Sequence, residues 1–128
     1  ERTLFRLGGE ADRFVSGFAR HTWGDGDSTS IRDSVNLGAH VKGPFASRPN
    51  DVLGIGWTRA ATSGKWRAAQ AATGIATASS EDALEVTYRY ALTPWIAIQP
   101  NIQHIRNPGG TAGTPAAKLI GARIELAL

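Results

Sequence analysis

The sequence predicts an all-β fold: a run of antiparallel strands belonging to a transmembrane β-barrel. Three observations predict it. Apolar and polar side chains alternate over stretches of roughly 10 to 13 residues, longer than the ~5 to 6 of an ordinary globular strand. Trp23, Phe45, Tyr88, Tyr90 and Trp95 fall near predicted strand ends or turns, where aromatic side chains collect at the polar boundaries of a bilayer. Connections are short at one end and long at the other.

Six strands follow in order. The first covers residues 13–23 and closes on the glycine- and aspartate-rich turn 24–28, whose residues tolerate positive φ and bond their own backbone. The second covers residues 32–43. Residues 44–51 hold two prolines, which have no amide to give a central ladder, and read as a connection. The third strand covers residues 52–62. From 63 to 80 alternation is lost in favour of alanine, threonine and serine, a long mobile loop with room for a short helical turn at 65–72. The fourth and fifth strands lie within 83–103 around a tight turn at 93–95, and the sixth covers 117–128 after the glycine-rich loop 107–115. Residues 1–6 are the tail of an earlier strand, and 8–12 the connection from it. Counting strands puts 44–51 at the short-turn end.

Composition narrows the alternatives. At 128 residues the chain is one domain or part of one. A net charge of +3, with acidic and basic residues interspersed, offers no cationic block for nucleic acid. Without cysteine there are no disulfides and no thiolate metal sites. No window nears the ~18 apolar residues of a spanning helix, which leaves strands as the means of crossing a membrane. The chain starts at Glu1, so any secretory leader has been removed or lies outside it. His21, His40 and His104 lie on different strands without metal-ligand spacing. No nucleophile-elbow pattern accompanies the serines, and Gly24-x-Gly26 and Gly54-x-Gly56 do not extend into a phosphate loop. An enzyme is not expected, and neither is a cofactor or a metal.

Alternation assigns faces. Setting Leu92 opposite Ile96 pairs Tyr90 with Ile98, Tyr88 with Pro100 and Val86 with Ile102 on an apolar face. The same register pairs Arg89 with Gln99, Thr87 with Asn101 and Glu85 with Gln103 on a polar one. In the sixth strand Ile120, Ala122, Ile124, Leu126 and Leu128 oppose Gly121, Arg123 and Glu125. Arg20, Asn36, His40 and Lys42 join the polar face if Val35, Leu37, Ala39 and Val41 are on the apolar one. Leu53, Ile55 and Trp57 belong to the apolar face with Gly54 and Gly56 opposite, and Arg59 then reaches toward headgroups at the rim. Pro100, short of an amide donor, predicts a bulge. The expected lipid-facing residues are therefore Val86, Tyr88, Tyr90, Ile98, Ile102, Ile120 and Ile124. The expected pore-lining residues are Arg20, Glu85, Arg89, Gln99, Asn101, Gln103, Arg123 and Glu125. A soluble all-β ligand-binding module with a wet polar face, and a structural barrel that conducts nothing, share this patterning.

The stretches Arg48-Pro-Asn-Asp-Val-Leu-Gly-Ile-Gly56 and Glu85-Val-Thr-Tyr-Arg-Tyr-Ala-Leu-Thr-Pro-Trp-Ile-Ala-Ile-Gln-Pro-Asn-Ile-Gln-His-Ile-Arg-Asn-Pro-Gly-Gly110, with Gly121-Ala-Arg123, resemble the carbohydrate-selective porin family of the OprB type. The resemblance implies a 16-stranded barrel in the bacterial outer membrane, of which residues 1–128 are the C-terminal segment. It further implies passive diffusion of glucose and related sugars. The implied partners are those sugars, outer-membrane lipids and the remaining strands of the barrel. It also implies a terminal aromatic residue where this sequence has Leu128, so either that variant is tolerated or the natural terminus lies beyond. Sugars offer many hydroxyls, and a wall of mixed donors and acceptors suits them. The arginines and glutamates of that wall can also bond one another.

Overall fold

In the computed structural model, which describes residues 2–8 and 12–127, every strand pairs antiparallel with the next in sequence. The order is β1 (Arg2–Arg6), β2 (Phe14–Trp23), β3 (Ile31–Lys42), β4 (Val52–Thr62), β5 (Ser80–Thr93), β6 (Ile96–Arg106) and β7 (Ala117–Leu126). The six expected strands are present, and the foreseen tail of an earlier strand is β1, so the count is seven. Leu128 and part of the 8–12 connection lie outside the described residues. β5 starts earlier than alternation indicates because Ser80, Glu81 and Asp82 are polar on both faces. The short turn expected at 65–72 is a helix, α1 (Gly64–Ala72), capped by the Ser63 hydroxyl accepting from the Trp66 amide. No helix among the described residues is long and apolar enough to cross a membrane.

Connections 43–51 and 94–95 fall at the same end of the sheet, and 24–30, 63–79 and 107–116 at the other. The long loops at that second end are tied together. The Ala78 amide donates to the Gly110 carbonyl at 2.8 Å, and the Ala112 amide to Ala76 at 3.0 Å. The region expected to be a mobile loop therefore carries a helix and a hydrogen-bonded crossover to its neighbour.

Two details of the β5–β6 register differ from expectation. Thr87↔Asn101 and Tyr90↔Ile98 keep one offset, so Pro100 inserts no bulge; the ladder omits the rungs at Tyr88 and Arg89, where Pro100 has no N–H to give. The irregularity lies instead at Ala91/Thr93, where Thr93, not Leu92, pairs with Ile96. There the Thr93 hydroxyl accepts from the amides of Trp95 and Ile96, at 3.3 and 2.9 Å, tightening the turn.

Successive side chains point to opposite faces, so the register sorts the residues. One face carries Ala39, Ile55, Val86, Ile102 and Ile120 along a single line of rungs, flanked by Leu37, Trp57, Tyr88, Tyr90, Ile98 and Ile124. Nothing covers this face: Ile102 is 60%, Ile120 84% and Ile124 69% exposed, and among the described residues Ala97 is the one buried hydrophobic side chain. A soluble sandwich would pack a second layer against such a surface; here there is a single sheet.

At the short-turn end the strands are held by Asp51, whose side chain is 1% exposed. It accepts from Arg48 Nε at 2.9 Å and Nη2 at 3.1 Å, from the Tyr88 hydroxyl at 2.7 Å and from the Ala91 amide at 2.9 Å. Arg48 also donates to the Ala91 carbonyl at 3.0 Å and lays its guanidinium 3.8 Å from the centre of the Tyr90 ring. The connection 43–51 is thereby clasped to the end of β5. Gly43, at φ 63°, makes the turn possible, with its amide donating to the Asp51 carbonyl and its carbonyl accepting from Arg13.

Candidate functional site

The opposite face is polar, and its side chains form rows across the strands. Gly56, Glu85 and Gln103 share one line of rungs, Gly54, Thr87 and Asn101 the next. Beyond β6 the Asn101–Gly121 rung continues the second line and Gln99–Arg123 adds a third, and at the other side Arg20 pairs with Asn36 and Asn36 with Thr58. All eight residues expected to line a pore therefore share this face, with Asn36, His40 and Lys42. All seven expected to meet lipid share the other, although the Tyr88 hydroxyl turns aside to Asp51.

Four of the eight form one network. Arg89 reaches across β6 to Glu125, Nε to Oε2 at 2.7 Å; Arg123 donates to Glu125 Oε1 at 2.9 Å and to Gln99 Oε1 at 2.7 Å. Arginine's planar fork suits such bridging, and each partner keeps at least 32% of its side chain exposed. Asn101 donates to Glu85 Oε1 at 3.0 Å, and Thr58 to Asn36 Oδ1 at 2.9 Å. Mutual pairing leaves the unused lone pairs and N–H groups of these side chains directed to the open space above the sheet.

Arg20 is set apart. It borders a hollow of about 360 Å³ together with Asn36, Thr58, Glu85 and Gln103, over the position where Gly56 supplies no side chain. Phe18 stands beside it and lies over Gly38, where a Cβ would come within 2.3 Å of the ring. Phe18, 49% exposed, and Leu119, 47% exposed, are apolar residues on the polar face that alternation does not reveal. Phe18 lies two residues from Arg20 and Leu119 two residues from Gly121, so their shared parity with the polar face was the signal in the sequence.

Arg48 and Asp51 are also absent from the expected set, since residues 44–51 read as a connection alone. Burial pushes the Asp51 carboxyl up. The hydrogen bonds from Arg48, the Ala91 amide and the Tyr88 hydroxyl, with the Arg48 charge, outweigh it and hold the group below its ordinary range. Among the described residues no cluster of histidine and carboxylate side chains fits a metal ion.

A family model described as carbohydrate-selective porin, OprB family, matches residues 1–128. The chain is similar to Porin B of Pseudomonas aeruginosa, at 29% identity over 130 residues covering 91% of this chain and 29% of that protein. It superposes on a chain of the high pH structure of Pseudomonas putida OprB with a TM-score of 0.89 and 26% identity, covering 97% of this chain and 33% of that one. The sequence thus spans about a third or less of the length of the relatives it matches.

Proposed function

The chain belongs to the OprB family of carbohydrate-selective porins, and from that premise we propose that its seven strands are a C-terminal wall segment of an outer-membrane barrel through which glucose and related sugars diffuse. The family and the fold imply a transport channel and not an enzyme. In this reading the apolar face meets lipid, the polar face meets water, and strands from elsewhere in the protein close the sheet, because an open sheet of this kind has edges and no lumen.

The observation that carries the reading is the uncovered apolar face on a single sheet. From Leu84 to Leu92 the apolar face of β5 extends about 27 Å along the strand. At the usual tilt this is ~19 to 22 Å along the membrane normal, most of the ~25 Å hydrocarbon band of an outer-membrane barrel. A water-soluble module would leave that surface wetted, at a cost of about 25 cal/mol per Å². The polar face supports sugar passage in particular. Arg20, Gln99, Asn101, Gln103, Arg123 and Glu125 mix donors with acceptors, and the Phe18 ring offers an apolar platform of the kind a sugar's ring face meets.

Arg89→Ala in the full-length barrel tests the polar wall. Both members of the Arg89–Glu125 pair are about a third exposed, so folding should change by about 1 kcal/mol or less. Sugar-dependent swelling of liposomes should change by a few-fold. Ion selectivity should shift toward cations, since Glu125 would lose a partner. Unchanged swelling and selectivity would remove Arg89 from the permeation path, and no swelling even in the parent protein would favour a structural barrel that conducts nothing.

A further inference from the structure

We propose that the apolar face carries a docking site for phosphorylated lipid headgroups in the leaflet at the long-loop end, formed by Arg59, Arg106 and Lys118. The inference rests on the barrel reading above and adds a partner to it.

Across β2–β7, the acidic, basic and histidine side chains of the apolar face are His21, Asp33, Arg59, Asp82, His104, Arg106 and Lys118, by register. All lie toward the long-loop end. Arg59 pairs with Asp82 and Asp82 with Arg106 on one line of rungs, and His104 pairs with Lys118 on the next. Arg59, Arg106 and Lys118 are exposed, and among the described residues none of the three makes a salt bridge. Asp33 is engaged by Arg32 at 2.7 Å. The band therefore holds three cations against Asp82. In edge strand β1, Arg2 lies opposite Gly17, outside the band.

The other end of the same face is arranged differently. There the charges nearest the apolar surface, Arg48 and Asp51, neutralise each other, and Trp95, Phe45, Leu92 and Leu126 are exposed. One end is thus neutral and the other cationic, with Trp23 exposed beside His21 at the cationic end. Tyr90 and Asp82, eight residues apart on β5, are about 27 Å apart along the strand, or ~19 to 22 Å along the membrane normal at the usual tilt. With the neutral end at one polar boundary, the backbone of the cationic row stands near the other edge of the ~25 Å hydrocarbon band, and the long stems of arginine and lysine carry their charges outward to the lipid phosphates. By register Trp57, Leu84 and His104 form the next line of rungs toward the apolar surface, the kind of surface over which long cationic side chains at an interface lay their stems. Charged pores do not require cations on their outer face; anionic lipid does, because it supplies the counter-charge that the protein lacks there.

The test uses the full-length barrel in detergent micelles, titrated with bisphosphorylated lipid A and, separately, with the same lipid stripped of both phosphates, bound lipid being counted by native mass spectrometry. The parent protein should hold the phosphorylated form on the order of 100-fold more tightly than the Arg59→Gln/Arg106→Gln/Lys118→Gln variant. The two proteins should hold the stripped lipid alike. Equal retention of both lipids by the parent protein would overturn the inference, and that arm needs no variant to fold. A barrel that never inserts into membranes overturns the porin reading itself, whereas one that inserts and passes sugar but ignores the phosphates overturns the lipid site alone.

Discussion

Val86→Arg is expected to prevent stable insertion of the barrel, while Thr87→Arg, one residue along the same strand, is expected to be accommodated. Val86 sits between Ile55 and Ile102 on the middle line of rungs, 40% exposed with no covering layer. An arginine there would have to hold a guanidinium in hydrocarbon, at a cost of about 2–4 kcal/mol near the midplane, falling to ~0–1 near the interfaces. A side chain at position 87 points the other way, above Gly54 and beside Asn101, where water and hydrogen-bond partners are at hand. Urea unfolding of the full-length protein from lipid vesicles measures both. The Val86 variant should lose most of its folded fraction or unfold at distinctly lower urea, and the Thr87 variant should stay within about 1 kcal/mol of the parent. Equal tolerance of the two would mean that neither face is in lipid.

Asp51→Ala is the second large effect. It strands Arg48, the Tyr88 hydroxyl and the Ala91 amide without their common acceptor. Removing one partner of a buried pair costs about 3–5 kcal/mol, and the lower end applies because Arg48 keeps 33% of its side chain exposed. The same group sets an acid limit. Its folded carboxyl titrates below the ordinary 3.8. Its contribution to stability is therefore complete above that pH and is lost as pH falls through the lower folded value. Unfolding midpoints of the parent protein should drop on acidification below about pH 4. In the Asp51→Ala variant that component should be missing, leaving a shallower acid dependence. An unchanged profile would show that the clasp carries no linked proton.

The sheet was legible because its signal repeats. Strands β3 to β7 each restate the period of two, so an error in any one register would have set isoleucines against arginines. What stayed hidden does not repeat. Asp51 meets Tyr88 and Ala91 across separations of 37 and 40 residues, and a single aspartate before a strand has no periodicity to betray such a contact. Phe18 contradicts the alternation of its own strand, and the vacancy that admits its ring belongs to Gly38 on the next. The missing amide of Pro100 was visible, but its consequence was not: a sheet can tolerate a proline by omitting rungs as well as by bulging, and the two read identically in sequence. The Arg89–Glu125 bridge was foreseeable as chemistry, whereas its reach over β6 required the twist and spacing of three strands together.

The division into an oily and a wet face is most directly tested by single cysteines at positions 98 to 103, introduced into the full-length barrel in lipid vesicles and carrying nitroxide labels; residues 1–128 contain no cysteine, and any elsewhere in the barrel would be replaced by serine. Labels at Ile98 and Ile102 should collide mainly with dissolved oxygen, which partitions into hydrocarbon. Those at Gln99, Asn101 and Gln103 should collide mainly with a water-soluble nickel chelate, so that accessibility alternates residue by residue. Oxygen and nickel accessibilities that run in parallel along these positions, or that alternate in the reverse phase, would contradict the account.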